Sequence, residues 1–274
     1  MNVQSEQRRR RTQFRAGRAR VGIIWILALI ALVTTAEAVT SRFREGATHG
    51  FLVLRAVGSG ETLAYGELIA LPRGDRVESR LVWRFRDGSV QDERTIYTQQ
   101  PVLKLLSYRQ IQRGPTFPAD VEVSFAREGG RYEVRRHEKG KKEPEVVTGT
   151  VELPNDVYNG MALTVVKNLP RGATGTGQML VFTPKPRLIK MTMRPEGEDP
   201  IIVGESRRMA TRYLIDLEVG GIAGIFAAVA GKKPPDLRYW LLLDEAPAFV
   251  KFEGPFFLDG ALWRIELTAP RWPK

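Results

Sequence analysis

From His49 onward the chain alternates in short runs, apolar and polar residues trading places every second position, with Gly, Pro, Asp or Asn breaking each run. That period of two is the signature of half-buried strands. HGFLVLRAV and ETLAYGELIAL are joined by GSG, a hairpin signal. In RVESRLVWRFRDGS, Val77, Ser79, Leu81, Trp83 and Phe85 fall on one face and Arg80, Arg84 and Arg86 on the other, with Asp87-Gly88 as the closing turn. VQDERTIYTQQ, VLKLLSYRQIQR, DVEVSFA, RYEVRRHE and EVVTGTVEL continue the series. The basic cluster RRHEKGKKEPE reads as an exposed hairpin tip turning at Gly140. After residue 170 the alternation returns in QMLVFT, PRLIKMTM, PIIVGESRR, ATRYLIDLEV, LRYWLLL, AFVKFEGP and ALWRIELTAP, with PEGEDP read as a turn.

One segment changes period. LPNDVYNGMALTVVKNLP has Asn155 or Asp156 as a helix cap and Pro170 as a stop, and Tyr158, Met161, Ala162, Val165 and Leu169 share one helical face. Gly160 inside it costs about 1 kcal/mol against Ala, so this helix depends on packing. An amphipathic helix alone among strands must lay its apolar face on a sheet. The pattern therefore predicts a mainly β fold: a highly curved antiparallel sheet or incomplete β-barrel with one amphipathic helix packed on it. Residues 39–274 read as a single β-rich domain with a soft division near 154.

Two stretches abandon alternation altogether. Val21–Val33 is an uninterrupted apolar run behind an arginine-rich start and ahead of Ala36-Glu37-Ala38. These are the three parts of a secretory signal, with cleavage expected at Ala36 and Ala38. The alternative is an uncleaved inner-membrane anchor formed by residues 21–33, although a full span needs about 20 apolar residues. The expected location is exported, periplasmic or secreted. The second stretch, GGIAGIFAAVAGKKPPD from Gly220 to Asp236, is too short to span and too rich in glycine for a stable helix. It reads as a buried strand or as an apolar flap with Ile222, Ile225 and Phe226 touching ligand or lipid.

Charge changes this picture little. The net charge is +11, but residues 1–20 hold seven arginines against one glutamate, so more than half of it sits in the leader. No nucleic-acid recognition motif accompanies the remainder, and no nucleic-acid partner is expected. The chain has no cysteine, which removes disulfides, thiolate metal sites and cysteine nucleophiles. Its two histidines, His49 and His137, have no spaced partner, so no metal or other cofactor is expected. No nucleophile elbow, zinc-protease motif or phosphate loop is present. GATGTG, Gly172–Gly177, follows the helix instead of preceding one and reads as a connector. Asp92 and Glu93 are adjacent in a strand and point to opposite faces, a poor arrangement for shared acid–base work. Asp244-Glu245 reads as a turn. A hydrolase built on two distant carboxylates is the least favoured reading.

What remains is apolar and aromatic density. Trp83, Phe85, Tyr158, Met161, Val165, Ile222, Ile225, Phe226 and Trp240 are the candidate ligand-binding residues, lining a trough between sheet and helix. RVESRLVWRFRDGS, TPKPRLIKM, GGIAGIFAAVAGKKPPDLRYWLL and EAPAFVKFEGPFFLDGALWRIEL resemble an uncharacterised family of exported bacterial β-rich proteins, over about residues 45–272. That resemblance brings no activity and no catalytic residues. Many strands with one inserted helix also give an architectural likeness to periplasmic lipoprotein carriers. The expectation is a non-catalytic envelope protein holding an apolar small molecule such as a lipid or acyl chain, touching membrane only through its N-terminal segment or transiently. The alternative is a structural or interaction module with an envelope protein partner.

Overall fold

Fourteen antiparallel strands form one sheet in the computed structural model, which describes residues 38–183, 185–203, 205–218, 236–257 and 260–268. The first eight run as a meander: β1 (Thr48–Ala56), β2 (Thr62–Arg73), β3 (Arg76–Phe85), β4 (Val90–Gln99), β5 (Leu103–Arg113), β6 (Ala119–Ala126), β7 (Arg131–Glu138) and β8 (Glu145–Thr150). A crossover carrying the helix α1 (Ala162–Asn168) leads to a second meander. It comprises β9 (Gly175–Thr183), β10 (Lys185–Val203), β11 (Ser206–Glu218), β12 (Leu237–Leu242), β13 (Ala248–Gly254) and β14 (Trp263–Leu267). The order across the sheet is β8-β7-β6-β5-β4-β3-β2-β1-β14-β13-β12-β11-β10-β9, so β1 and β14 join the two meanders and β8 and β9 are its edges.

Alternation does the work that the sequence pattern predicts. On β3, Val77, Trp83 and Phe85 are buried while Arg76, Arg80 and Arg84 are exposed. The outer face carries cross-strand ion pairs, among them Arg80–Asp92 at 2.6 Å and Arg264–Glu253 at 2.8 Å. Such exposed pairs contribute about 0–1 kcal/mol each, so the sheet is held by its inner face. The sheet curls until its two ends meet. Phe182 of β9 lies 5.3 Å from the Tyr132 ring of β7 and 6.2 Å from that of Phe125 on β6, although β8 and β9 share no ladder. This is a barrel closed by side chains and left open by its backbone.

The interior has two apolar clusters. One gathers Tyr97, Leu103, Leu105, Met191, Met193, Tyr213 and Leu241 beneath α1. The other gathers Leu52, Leu54, Ala64, Trp83, Phe85, Phe117 and Trp263.

The helix is shorter than its sequence predicts. It starts at Ala162 with Met161 as its cap residue, not at Asn155 or Asp156. The preceding residues are committed to the edge of β9. Tyr158 N–H donates to the Gln178 carbonyl at 2.9 Å, Gln178 N–H donates to the Asp156 carbonyl at 2.8 Å, and the Asn159 amide bonds both the N–H and the carbonyl of Leu180. Asn and Asp compete for backbone partners in this way, and Gly160 sits at φ +69°, outside helical space. The result is an edge strand covered by its own chain, which blunts it against foreign pairing.

Two further expectations change. PEGEDP is not a turn: β10 runs through it as one strand, with a register shift between Pro195 and Gly197. GATGTG is only partly a connector, since Gly175–Gly177 open β9 and a Cβ on Gly177 would stand 2.5 Å from the Tyr158 ring. Asp244-Glu245 does lie between β12 and β13. Among the described residues no helix is long and apolar enough to cross a membrane.

Candidate functional site

The inner faces of β2, β3, β4, β12 and β14 define the middle of the interior, between the two clusters. Register fixes which side chains point there. Leu68 pairs with Leu81, Leu81 with Glu93, and Gly66 with Trp83. Leu68, Ser79, Leu81, Glu93, Tyr239 and Ile265 all belong to inward rows, yet each keeps accessible surface. Leu68, Leu81 and Ile265 pack against the second cluster and Tyr239 against the first, so together they bound the space between the two.

One wall of that space is aromatic. The Trp83 ring lies flat on β2, where a Cβ on Gly66 would come within 2.5 Å of it, so glycine is what admits the indole. Trp263 lies tilted 5.6 Å from Phe85 and Phe117 sits edge-on to Phe85 at 5.4 Å. The short connection after β13 drops two half-buried rings onto this end: Phe256 lies 5.8 Å from Trp83, and Phe257 lies 6.1 Å from Phe117. Trp83 is fully buried, and among the described residues its indole N–H has no hydrogen-bond acceptor. An orphaned buried donor of this kind costs about 1–3 kcal/mol, and native structures seldom leave one without a reason.

The other wall is polar. Gln91, the register partner of Trp83, is buried and accepts a hydrogen bond from Gln112 at 3.2 Å. Two residues further along the same face, Glu93 accepts the Tyr108 hydroxyl at 2.9 Å. Burial pushes the Glu93 carboxyl above its ordinary range, and the Tyr108 bond only partly offsets this. Burial also pushes the hydroxyls of Tyr108 and Tyr239 up, with the nearby Glu93 charge adding to both. Tyr239 is on β12, across the interior from β4, so these groups face one another over the space.

The structure distributes the sequence candidates over three places. Trp83 and Phe85 belong to the aromatic wall. Tyr158, Met161 and Val165 are wholly buried in the cluster around α1, their surfaces used up by protein neighbours. Trp240 is on the other side of the sheet from Tyr239 and Leu241. There its indole N–H donates to Asp199 at 2.6 Å, and the Lys251 ammonium stands 3.7 Å above its ring. It cannot line the interior, because the strand period sends it outward while its neighbours face in. Ile222, Ile225 and Phe226 lie outside the described residues, as does Ala36; Ala38 is half-buried at the start of the described chain. The sequence reading named Glu93 only as half of an acidic pair, and it missed Gln91 and Tyr108. The signal for Gln91 and Glu93 was in VQDERTIYTQQ, where every odd position from 91 to 99 is polar or Tyr, so alternation alone could not choose the inner face.

A second concavity, an open groove of about 740 Å³, crosses the outer face of β4–β8. It is lined by Arg94, Arg109 and Arg131 over Ser107, Ser124 and Ala126. Arg109 is already paired with Glu122 at 2.5 Å. Among the described residues no group of three or more His, Asp or Glu could hold a metal ion.

No family model matches this chain, and no curated protein does either. Among solved structures it is similar to a beta-barrel-like protein of a domain of unknown function, DUF1849, from Brucella abortus. The two share 12% identity over 82% of this chain and 97% of that one, with a TM-score of 0.47.

Proposed function

We propose that this chain is a non-catalytic, exported protein of the cell envelope that holds an amphipathic ligand inside its curved sheet. The observation that carries the reading is Trp83: a fully buried indole N–H without an acceptor among the described residues, in an aromatic wall beside inward residues that keep accessible surface. An apolar chain bearing a carbonyl, ester or hydroxyl oxygen satisfies both features, burying its tail against Phe85, Phe117 and Trp263 and accepting the indole proton. The ligand lies along the aromatic wall, beside Leu68, Leu81 and Ile265, inward residues there that keep accessible surface. Phe256 and Phe257 cover that end on a short connection, and burying an acyl chain there supplies about 0.8 kcal/mol per CH₂. Native mass spectrometry of gently purified protein, followed by titration with an uncharged fluorescent acyl probe, tests it. A protein that emerges lipid-free and binds no acyl probe overturns the proposal.

A second reading, an interaction module for an envelope partner, draws on the open edge of β8. No described strand pairs with that edge, and Val146 on it is 51% exposed. An added strand is the usual way such an edge is used. In-cell crosslinking from position 146 would trap one partner if this reading holds.

A further inference from the structure

We infer that Glu93 receives a basic group on the ligand, an ammonium at the head of an apolar chain. The inference rests on the reading that the interior holds an amphipathic molecule, and it names that molecule's polar end.

The first argument is the missing counter-charge. On the outer face several carboxylates are matched by cations: Asp92 by Arg80, Glu122 by Arg109, Glu196 by Arg238, Glu253 by Arg264. This is a chain with 42 Lys and Arg against 31 Asp and Glu, so cations are in surplus. Glu93 faces inward, pairs with no cation among the described residues, and has the neutral Tyr108 hydroxyl as its hydrogen-bond partner. A carboxylate taken out of water needs a counter-charge or a proton, and a ligand ammonium supplies the former.

The second argument is geometry. Tyr108 holds one carboxylate oxygen, Oε2. The other, Oε1, is beside Gly160, where a Cβ would stand 3.1 Å from it and against the Thr95 hydroxyl. Glycine is what lets the backbone pack this close to that oxygen, which no described group claims by a hydrogen bond. Tyr239 flanks the same space from the opposite wall, an aromatic face that suits an ammonium. Glu93 also lies two residues along the strand from Gln91, the register partner of Trp83. That is a rise of about 7 Å, so a head on Glu93 and a tail among the aromatic rings belong to one molecule.

Three alkyl probes of equal length separate the possibilities: dodecylamine, dodecanol and dodecanoic acid, titrated against the full mature chain near neutral pH. The wild type should bind the amine at least about tenfold more tightly than the alcohol and bind the acid most weakly. Glu93→Gln should erase the preference for the amine while still binding the alcohol. Equal binding of amine and alcohol by the wild type, or an undiminished preference in E93Q, overturns the assignment of Glu93 and leaves the aromatic site standing. Failure of all three probes to bind the wild type overturns both. The wild-type comparison stands even if E93Q does not fold.

Discussion

The hydroxyl of Tyr158 accepts the backbone N–H of Val39 at 2.8 Å, joining two points 119 residues apart. The bond is one stitch in a seam. Asn168 Oδ1 accepts the N–H groups of Arg42 and Phe43, and Lys167 pairs with Glu45 at 2.7 Å with both side chains largely shielded. The chain entering the domain is therefore part of the packing around α1. Tyr158→Phe removes the acceptor and leaves the ring, so it should cost about 1–2 kcal/mol. Urea unfolding should show a lower midpoint at unchanged slope. Tyr158→Ala should cost about 3–5 kcal/mol, because it also opens a cavity against Gly177.

Trp83 and Trp240 should respond in opposite ways. Trp83→Phe removes an indole N–H that bonds no described residue, so stability should change little while affinity for an oxygen-bearing acyl probe falls. Trp240→Phe breaks the bond to Asp199 and weakens the contact with Lys251. It should cost about 2 kcal/mol and leave probe affinity unaltered. Paired denaturation and binding titrations on the two variants check this.

Acid should act on the two faces with opposite sign. Hydrogen bonds from Arg80, Arg109 and Arg238 hold Asp92, Glu122 and Glu196 below the ordinary carboxylate range, so their contributions are lost as pH falls through those lowered values. Glu93 is raised by burial, so the native state keeps a proton that the unfolded state releases. Its effect is stabilising at low pH and fades as pH rises from the ordinary glutamate range through the raised value. Without ligand, Glu93→Gln should therefore gain in melting temperature over wild type above that window and match it below. A pH series of melting curves on both proteins reads the difference directly.

Gly66→Ala places a methyl against the Trp83 ring. The indole must move or the strands must part, at a cost of about 1–3 kcal/mol. Tryptophan fluorescence should shift with the displaced ring, and acyl-probe binding should weaken in step.

Much of this architecture is legible in the sequence because a half-buried strand writes its two faces into alternate letters. β3 shows it best, with arginines on one parity and Trp83 and Phe85 on the other. The helix was harder. Asp156, Asn159 and Gly160 look like a helix start, but their hydrogen bonds go to β9, and no local pattern says that a neighbouring edge strand will compete for them. Trp240 misled because a large aromatic residue suggests interior, whereas here a carboxylate and an ammonium bury it from outside. Glu93 was legible only as half of an acidic pair. Which half faced inward depended on pairing with Leu81, a tertiary fact. The residues Ile222, Ile225 and Phe226 are a sequence expectation outside the described structure.

Every neighbouring pair in the sheet is also a neighbour along the chain, except one: β1 with β14. Thr268 N–H donates to the Phe51 carbonyl, so the end of β14 runs beside the start of β1. A circular permutant, joined there and opened in the crossover between β8 and β9, would read all fourteen strands as a single up-and-down ribbon. Its contact order would be lower and its folding faster. In the natural order, closure of the ribbon waits for its final strand to be synthesised.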